Sequence, residues 1–179
     1  MFAARRSGLV SLPEGLLDQE LALRPEAPAD DAFLLGLYRT TRQAELDQLG
    51  WGEEEQLAFV THQFNAQRTH YRHALENCAF DIIERQGQPI GRLYTQERVT
   101  QLHILDITLS PEVRGAGLGG AILTELHQRA SAVGKGIGIF VEVYNPARHL
   151  YDRLGFVPIG AEHVYLEMEW PAAGSPVVS

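Results

Sequence analysis

Residues 110–123 read SPEVRGAGLGGAIL, and they place Gly115, Gly117, Gly119 and Gly120 directly ahead of an apolar run with helical spacing. Glycine inside a helix costs about 1 kcal/mol relative to alanine, so four of them at a helix start need a reason. A helix N-terminus presents unpaired backbone N–H groups and a partial positive charge, which together attract an anion. The glycines remove the Cβ atoms that would hold a phosphate away from those donors, and Arg114 adds a full positive charge beside them. The stretch therefore reads as a strand-to-helix loop that cradles a phosphate. The plainer alternative is a glycine-rich turn that lets the helix pack tightly.

Upstream, LHILDITL (residues 102–109) alternates as a strand with Leu105, Ile107 and Leu109 on one face, and Pro111 ends it. AFDIIERQGQPIGRLYTQE (79–97) reads as two more strands around a bend at Gly87 and Pro89. Residues 50–75 read as a helix from about Glu53, acidic in its first turn as the helix dipole prefers, with Leu57, Val60, Phe64, Tyr71 and Leu75 on its apolar face. Before it, residues 27–46 form a helix capped by Asp30 or Asp31 and carrying Phe33, Leu34, Leu37 and Tyr38. ELALRP (20–25) is the first strand.

Downstream, Ile122, Leu123, Leu126, Ala130 and Val133 recur at helical intervals, and GKG (134–136) closes that helix. IGIFVEV (137–143) has the composition of a buried central strand. NPARHLYDRLGF (145–156) predicts a short helix with Asn145 as cap, Pro146 at its first helical position and Gly155 as terminator. HVYLEMEW (163–170) alternates as the last strand. The order is strand, two helices, a three-stranded meander, then helix, strand, helix, strand. Residues 20–170 are expected to form one domain, with 1–19 as a loose arm and 171–179 as a frayed tail.

Cys78 stands alone, which excludes an internal disulfide and suits a small core residue. A net charge of −8 with no basic block argues against nucleic acid as a partner. No apolar segment matches a signal-peptide core or a bilayer span, so no membrane partner and a cytoplasmic location are expected. His70 and His73 lie three apart without a third ligand at metal spacing, so no metal is expected.

Among phosphate loops, a P-loop is excluded because GLGGAI lacks the lysine and hydroxyl it needs. A dinucleotide fingerprint is satisfied literally by Gly115, Gly117 and Gly120, with Glu142 at a suitable distance for a ribose. Against it, SPEVR separates the glycines from the strand, and little chain follows Val143 to complete such a sheet.

The third reading rests on two motifs. LDITLSPEVRGAGLGGAIL resembles the acyl-CoA-binding motif of the GNAT superfamily of N-acyltransferases, Arg/Gln-x-x-Gly-x-Gly/Ala, filled by Arg114, Gly117 and Gly119. NPARHLYDRLGF resembles the superfamily's second motif through Asn145, Ala147, Leu150, Tyr151, Gly155 and Phe156. The resemblance covers residues 79–170. It implies a layered α/β (α+β) fold: a mixed, mostly antiparallel sheet, splayed in its middle and flanked by about four helices.

It also implies acetyl-CoA as donor. Pantetheine would bind the backbone of Ile107, Thr108 and Leu109, and the pyrophosphate the amides of Arg114, Gly115, Ala116, Gly117, Leu118, Gly119 and Gly120, with Asn145 at the same site. Tyr151 matches a general acid near the sulfur, Glu142 a catalytic glutamate, and Asp106 is the second candidate base. The implied reaction is acetyl transfer to a primary amine on a small molecule or peptide. A non-catalytic CoA-binding module is the rival, and a homodimer is possible because dimers are common among relatives. An acceptor pocket would draw on Arg42, Glu45, Trp51, Gln63, Gln67 and Tyr71. Arg39 and Arg42, one turn apart, are placed to hold an acceptor carboxylate.

Overall fold

The computed structural model of the protein describes residues 21–174, so the expected arm at 1–19 and the end of the expected tail lie outside the described residues. Strand β1 (Leu21–Pro25) leads through a 3-10 turn at Pro28–Asp30 into α1 (Asp31–Leu49) and α2 (Glu53–Ala74). The meander follows as β2 (Cys78–Arg85), β3 (Gln88–Glu97) and β4 (Gln101–Leu109). Then come α3 (Leu118–Ala132), β5 (Gly136–Glu142), α4 (Arg148–Leu154), β6 (Val157–Glu162) and β7 (Tyr165–Trp170). All seven strands join one sheet in the order β1-β2-β3-β4-β5-β7-β6. Among the described residues only β4 and β5 pair in parallel. A doubly wound dinucleotide fold needs successive parallel strands, and this topology rules out that alternative.

Packing divides between the two faces of the sheet. One cluster joins Leu93, Leu102, Ile104 and Ile139 to Ile122, Leu123 and Leu126 of α3 and Tyr151 of α4. A smaller one joins Ile82 to Leu34, Tyr38 and Leu46 of α1 and Val60 and Phe64 of α2. The parallel register of β4 with β5 runs only from Gln101↔Gly136 to Ile104↔Ile139, after which the strands part. At Gly138 a Cβ would run into the side chains of Gln101 and His103 on β4.

Several expectations are corrected. A bulge between Tyr94 and Thr95 makes Leu105 the extra residue of β4, so the core face reads Leu102, Ile104, Ile107, Leu109 instead of continuing through Leu105. The hairpin turns at Gln86 and Gly87, both with positive φ, and Pro89 lies inside β3. Leu57 and Val133 are exposed, because α2 turns Phe59 inward and α3 has already ended. Asp30 makes no cap bond to α1. Its carboxylate accepts from Ala27 N at the preceding turn and forms two bonds with Arg24. Asn145 precedes α4 by three residues; its Oδ1 accepts from Ala147 N at 2.9 Å and shapes the entry turn. Strand β6 was not expected, since Pro158 and Gly160 argue against a strand except at an edge, where it lies. Pro171 and Ala173 are bound to α3 through His127 and Ser131, so the start of the expected tail is docked.

Candidate active site

Between β4 and α3 the chain makes a 3-10 turn at Pro111–Val113 and then the glycine loop. Gly115 and Gly117 have φ of 78° and 81°, a region that only glycine enters without strain. Gly117 is the N-cap of α3, and the first helical bond runs from Ala121 N to its carbonyl. The amides of residues 115–120 therefore have no acceptor among the described residues, whereas that of Arg114, expected to join them, already donates to Pro111 O at the end of the 3-10 turn. No acidic side chain lies in the first turn to neutralise that helix end. A Cβ at Gly119 or Gly120 would make ordinary contact with Leu150 at 3.6 or 3.5 Å, so tight packing does not demand glycine there. What the missing side chains leave open is approach to the amides from outside. Arg114 straps the loop down: its Nε donates to Leu109 O at 2.8 Å and its Nη2 to Thr40 Oγ1 at 3.0 Å.

Where β4 and β5 part, a cleft of about 830 Å3 opens. Ser110 N donates to Ile90 O, which fixes the alternation along β4. Thr108 turns its backbone toward β3, and Ile107 and Leu109 turn theirs toward the gap. Of the three backbone positions expected to meet pantetheine, two face the opening.

The cleft brings Asp106 of β4 together with Glu142, Asn145 and Tyr151 from the end of β5, the turn after it and α4. Tyr151 is buried, edge-on to Phe156 at 5.4 Å, and burial pushes its hydroxyl up to about 12, with the charge of Asp106 adding to the shift. It is protonated at neutral pH. Glu142 is exposed and accepts from Tyr165 Oη at 3.3 Å. Asp106 is committed elsewhere. Its two oxygens take Arg92 Nε at 3.1 Å and Nη2 at 2.8 Å, and Thr108 Oγ1 donates to it at 2.7 Å. Burial works against the Arg92 charge, but Asp106, helped by Tyr94 and Tyr71, offsets it and the guanidinium pKa is raised.

On the helical side, Arg42, Gln67 and Tyr71 reach the cleft as expected, while Glu45, Trp51 and Gln63 do not line it. Trp51 packs on Phe59 and Gln63 accepts from Tyr38. Arg39 is also drawn away, donating to Gln56. Residues that the sequence reading missed include Arg92, Tyr38, His103 and Tyr165, all lining the cleft. Arg92 left one signal, a lone charge inside the apolar run PIGRLY. His103 is buried and neutral, its pKa pushed down to about 4 by burial and by Arg98. Cys78 lies outside the cleft, with its thiol raised by burial. No cluster of metal-ligating side chains forms among the described residues, and none of their helices is long and apolar enough to cross a membrane.

A family model described as an acetyltransferase (GNAT) domain matches residues 48–167. No curated protein matches the chain by sequence. Among solved structures, PaiA N-acetyltransferase from Thermoplasma acidophilum in complex with coenzyme A superposes with a TM-score of 0.63 at 16% identity, covering 84% of this chain and 98% of its own. RimL, a ribosomal L7/L12 alpha-N-protein acetyltransferase solved with coenzyme A, gives 0.60 at 18%, covering 92% and 99%. The spermidine N-acetyltransferase SpeG, as a chimera from Vibrio cholerae and hSSAT, gives 0.57 at 20%, covering 86% and 96%. Likeness at such identities is likeness of fold.

Proposed function

Because the chain belongs to the GNAT acetyltransferase family, we propose that it moves an acetyl group from acetyl-CoA to the nitrogen of a primary amine by direct attack. The observation that carries this is the row of unpaired amides at residues 115–120, opening beside a parted β4 and β5. Those amides fit a diphosphate, and the gap-facing backbone of Ile107 and Leu109 fits an amide-bearing arm. Asn145, which lines the cleft, would border that arm. Acetyl-CoA supplies the activated thioester.

The chain's residues then divide the proton work. Glu142, exposed in the cleft, takes a proton from the acceptor ammonium, whose ordinary pKa is about 10.4. As the N–C bond forms and the C–S bond breaks, Tyr151 gives its proton to the departing thiolate, a role suited to a hydroxyl that stays protonated. Asp106 is a poorer base than Glu142, since both its oxygens hold Arg92. Its part is to hold the Arg92 cation on the acceptor side.

Solved relatives named for acetylating spermidine and for acetylating a ribosomal protein N-terminus share this frame. An amine on a small molecule or a peptide is accordingly within the reading. Tyr151→Phe tests it: kcat should fall by about 100-fold or more, with acetyl-CoA still raising the melting temperature as it does for the wild type. A non-catalytic CoA-binding module would instead show the thermal shift with no thiol release from any amine.

A further inference from the structure

The wall of the cleft formed by α1, α2 and β3 holds a guanidinium with a donor to spare. Arg92 is 1% exposed. Asp106 takes its Nε and Nη2, and Nη2 is shared with Gln67, but Nη1 is buried without an acceptor among the described residues. A buried charged N–H left unpaired is costly and uncommon in folded proteins. Arg92 lines the cleft, so a molecule bound there is placed to supply the missing acceptor.

A second cation stands beside it. The Arg42 side chain is 34% exposed, and its ion pair with the half-exposed Glu45 is long, at 3.7 Å, and open to solvent screening. The Arg42 and Arg92 guanidinium carbons lie 5.5 and 5.8 Å from the centroid of one ring, that of Tyr38. Both guanidinia line the cleft beside Tyr38, whose Oη accepts from Arg42 Nε at 3.3 Å, while Glu142 lies across the gap on β5. A neutral carbonyl would satisfy Nη1 alone. Only an anion also answers Arg42, and the planar guanidinium fork is shaped for a carboxylate.

Resting on the acyl-transfer reading above, we propose that the acceptor is an amino acid-like primary amine whose carboxylate is held by Arg42 and Arg92 beside Tyr38, with its amine toward Glu142. A polyamine would bring a second cation against two guanidinia and is disfavoured in this corner. Arg92 and Arg42 thus act as specificity residues for the acceptor, apart from the acetyl-CoA side of the sheet.

The test uses the full chain with acetyl-CoA and thiol release as readout. The panel holds the twenty L-amino acids, β-alanine and γ-aminobutyrate, each beside its carboxamide and its decarboxylated amine. At least one acid should be turned over with kcat/KM about tenfold or more above its carboxamide and decarboxylated partners. Arg42→Gln, at a partly exposed position, should raise KM for that acid about tenfold and leave KM for acetyl-CoA and the melting temperature nearly unchanged. Turnover of carboxamides or decarboxylated amines equal to that of the acids, or an unchanged acid KM in Arg42→Gln, overturns the carboxylate site and leaves acyl transfer standing. No thermal shift with acetyl-CoA, or no thiol release with any amine, overturns the acyl-transfer reading and this inference with it.

Discussion

On the face of the sheet covered by α3 and α4, Ile122, Leu123 and Leu126 meet Leu93, Leu102, Ile104 and Ile139 in a dry cluster. On the face covered by α1 and α2, the apolar cluster is smaller and gives way to paired charges. There Glu26, its side chain 2% exposed, accepts from Arg68, Arg72 and Tyr94, and Arg92 is locked to Asp106. The first face carries the glycine loop, where the proposed donor would bind. The second lines the part of the cleft where Arg42, Gln67, Tyr71 and Arg92 stand, the proposed acceptor side. A core built from contact area is forgiving of which apolar residue fills it, whereas a core built from ion pairs depends on each partner being present.

The largest effect should come from breaking a pair on the charged face. Asp106→Leu leaves Arg92 buried and unpaired, and denaturant unfolding should show a loss of about 3–5 kcal/mol. Adding Arg92→Met should restore most of that loss while acceptor turnover stays impaired; no recovery in the double variant would mean that the pair is not what organises this face. A cut in the apolar face should be somewhat smaller and not repairable in this way. Leu123→Ala should cost roughly 2–5 kcal/mol through the cavity it leaves, with KM for the acceptor unchanged in the protein that remains folded.

The smallest effect sharpens the contrast with a charge on the wrong side. Asp81 alternates with Ile83 toward the apolar face, and burial alone raises its carboxyl to about 6. A carboxyl whose folded pKa lies above its unfolded value contributes stability that is full below about 4 and lost as pH rises through about 6. Asp81→Asn should therefore gain on the order of 1–2 kcal/mol at pH 7, and melting curves at pH 4 should show the gain gone. His103 carries the opposite slope, since its folded pKa of about 4 lies below the usual value. Its contribution is full above about 6.5 and is lost as pH falls toward 4, so acid sensitivity should steepen once Asp81 is replaced.

Much of the donor side was legible in the chain itself. The turn at Gly115 and Gly117, the strand before it and the helix after it all follow from contiguous residues, because backbone freedom, helix capping and two- or three-residue periodicity are local properties. Tyr151 was placed by a motif on one short helix. The misses share a different cause. The bulge at Leu105 reverses which side chains face the core, and nothing in LHILDITL marks it, since a bulge is set by the partner strand. Strand β6 exists because β7 offers it an edge.

The acceptor side shows the same division. Arg39 and Arg42 look equivalent along the helix, yet Gln56 of α2 draws Arg39 away while Arg42 reaches the cleft. Asp106 looked like a base until Arg92, fourteen residues earlier on the neighbouring strand, took both its oxygens. The sequence by itself determined the glycine loop, the helical and extended segments and the family resemblance, because each is written in neighbouring residues. Only the tertiary structure decided which charges are paired, which N–H is left over and which side chains line the cleft, because those depend on side chains that become neighbours only when distant strands and helices pack.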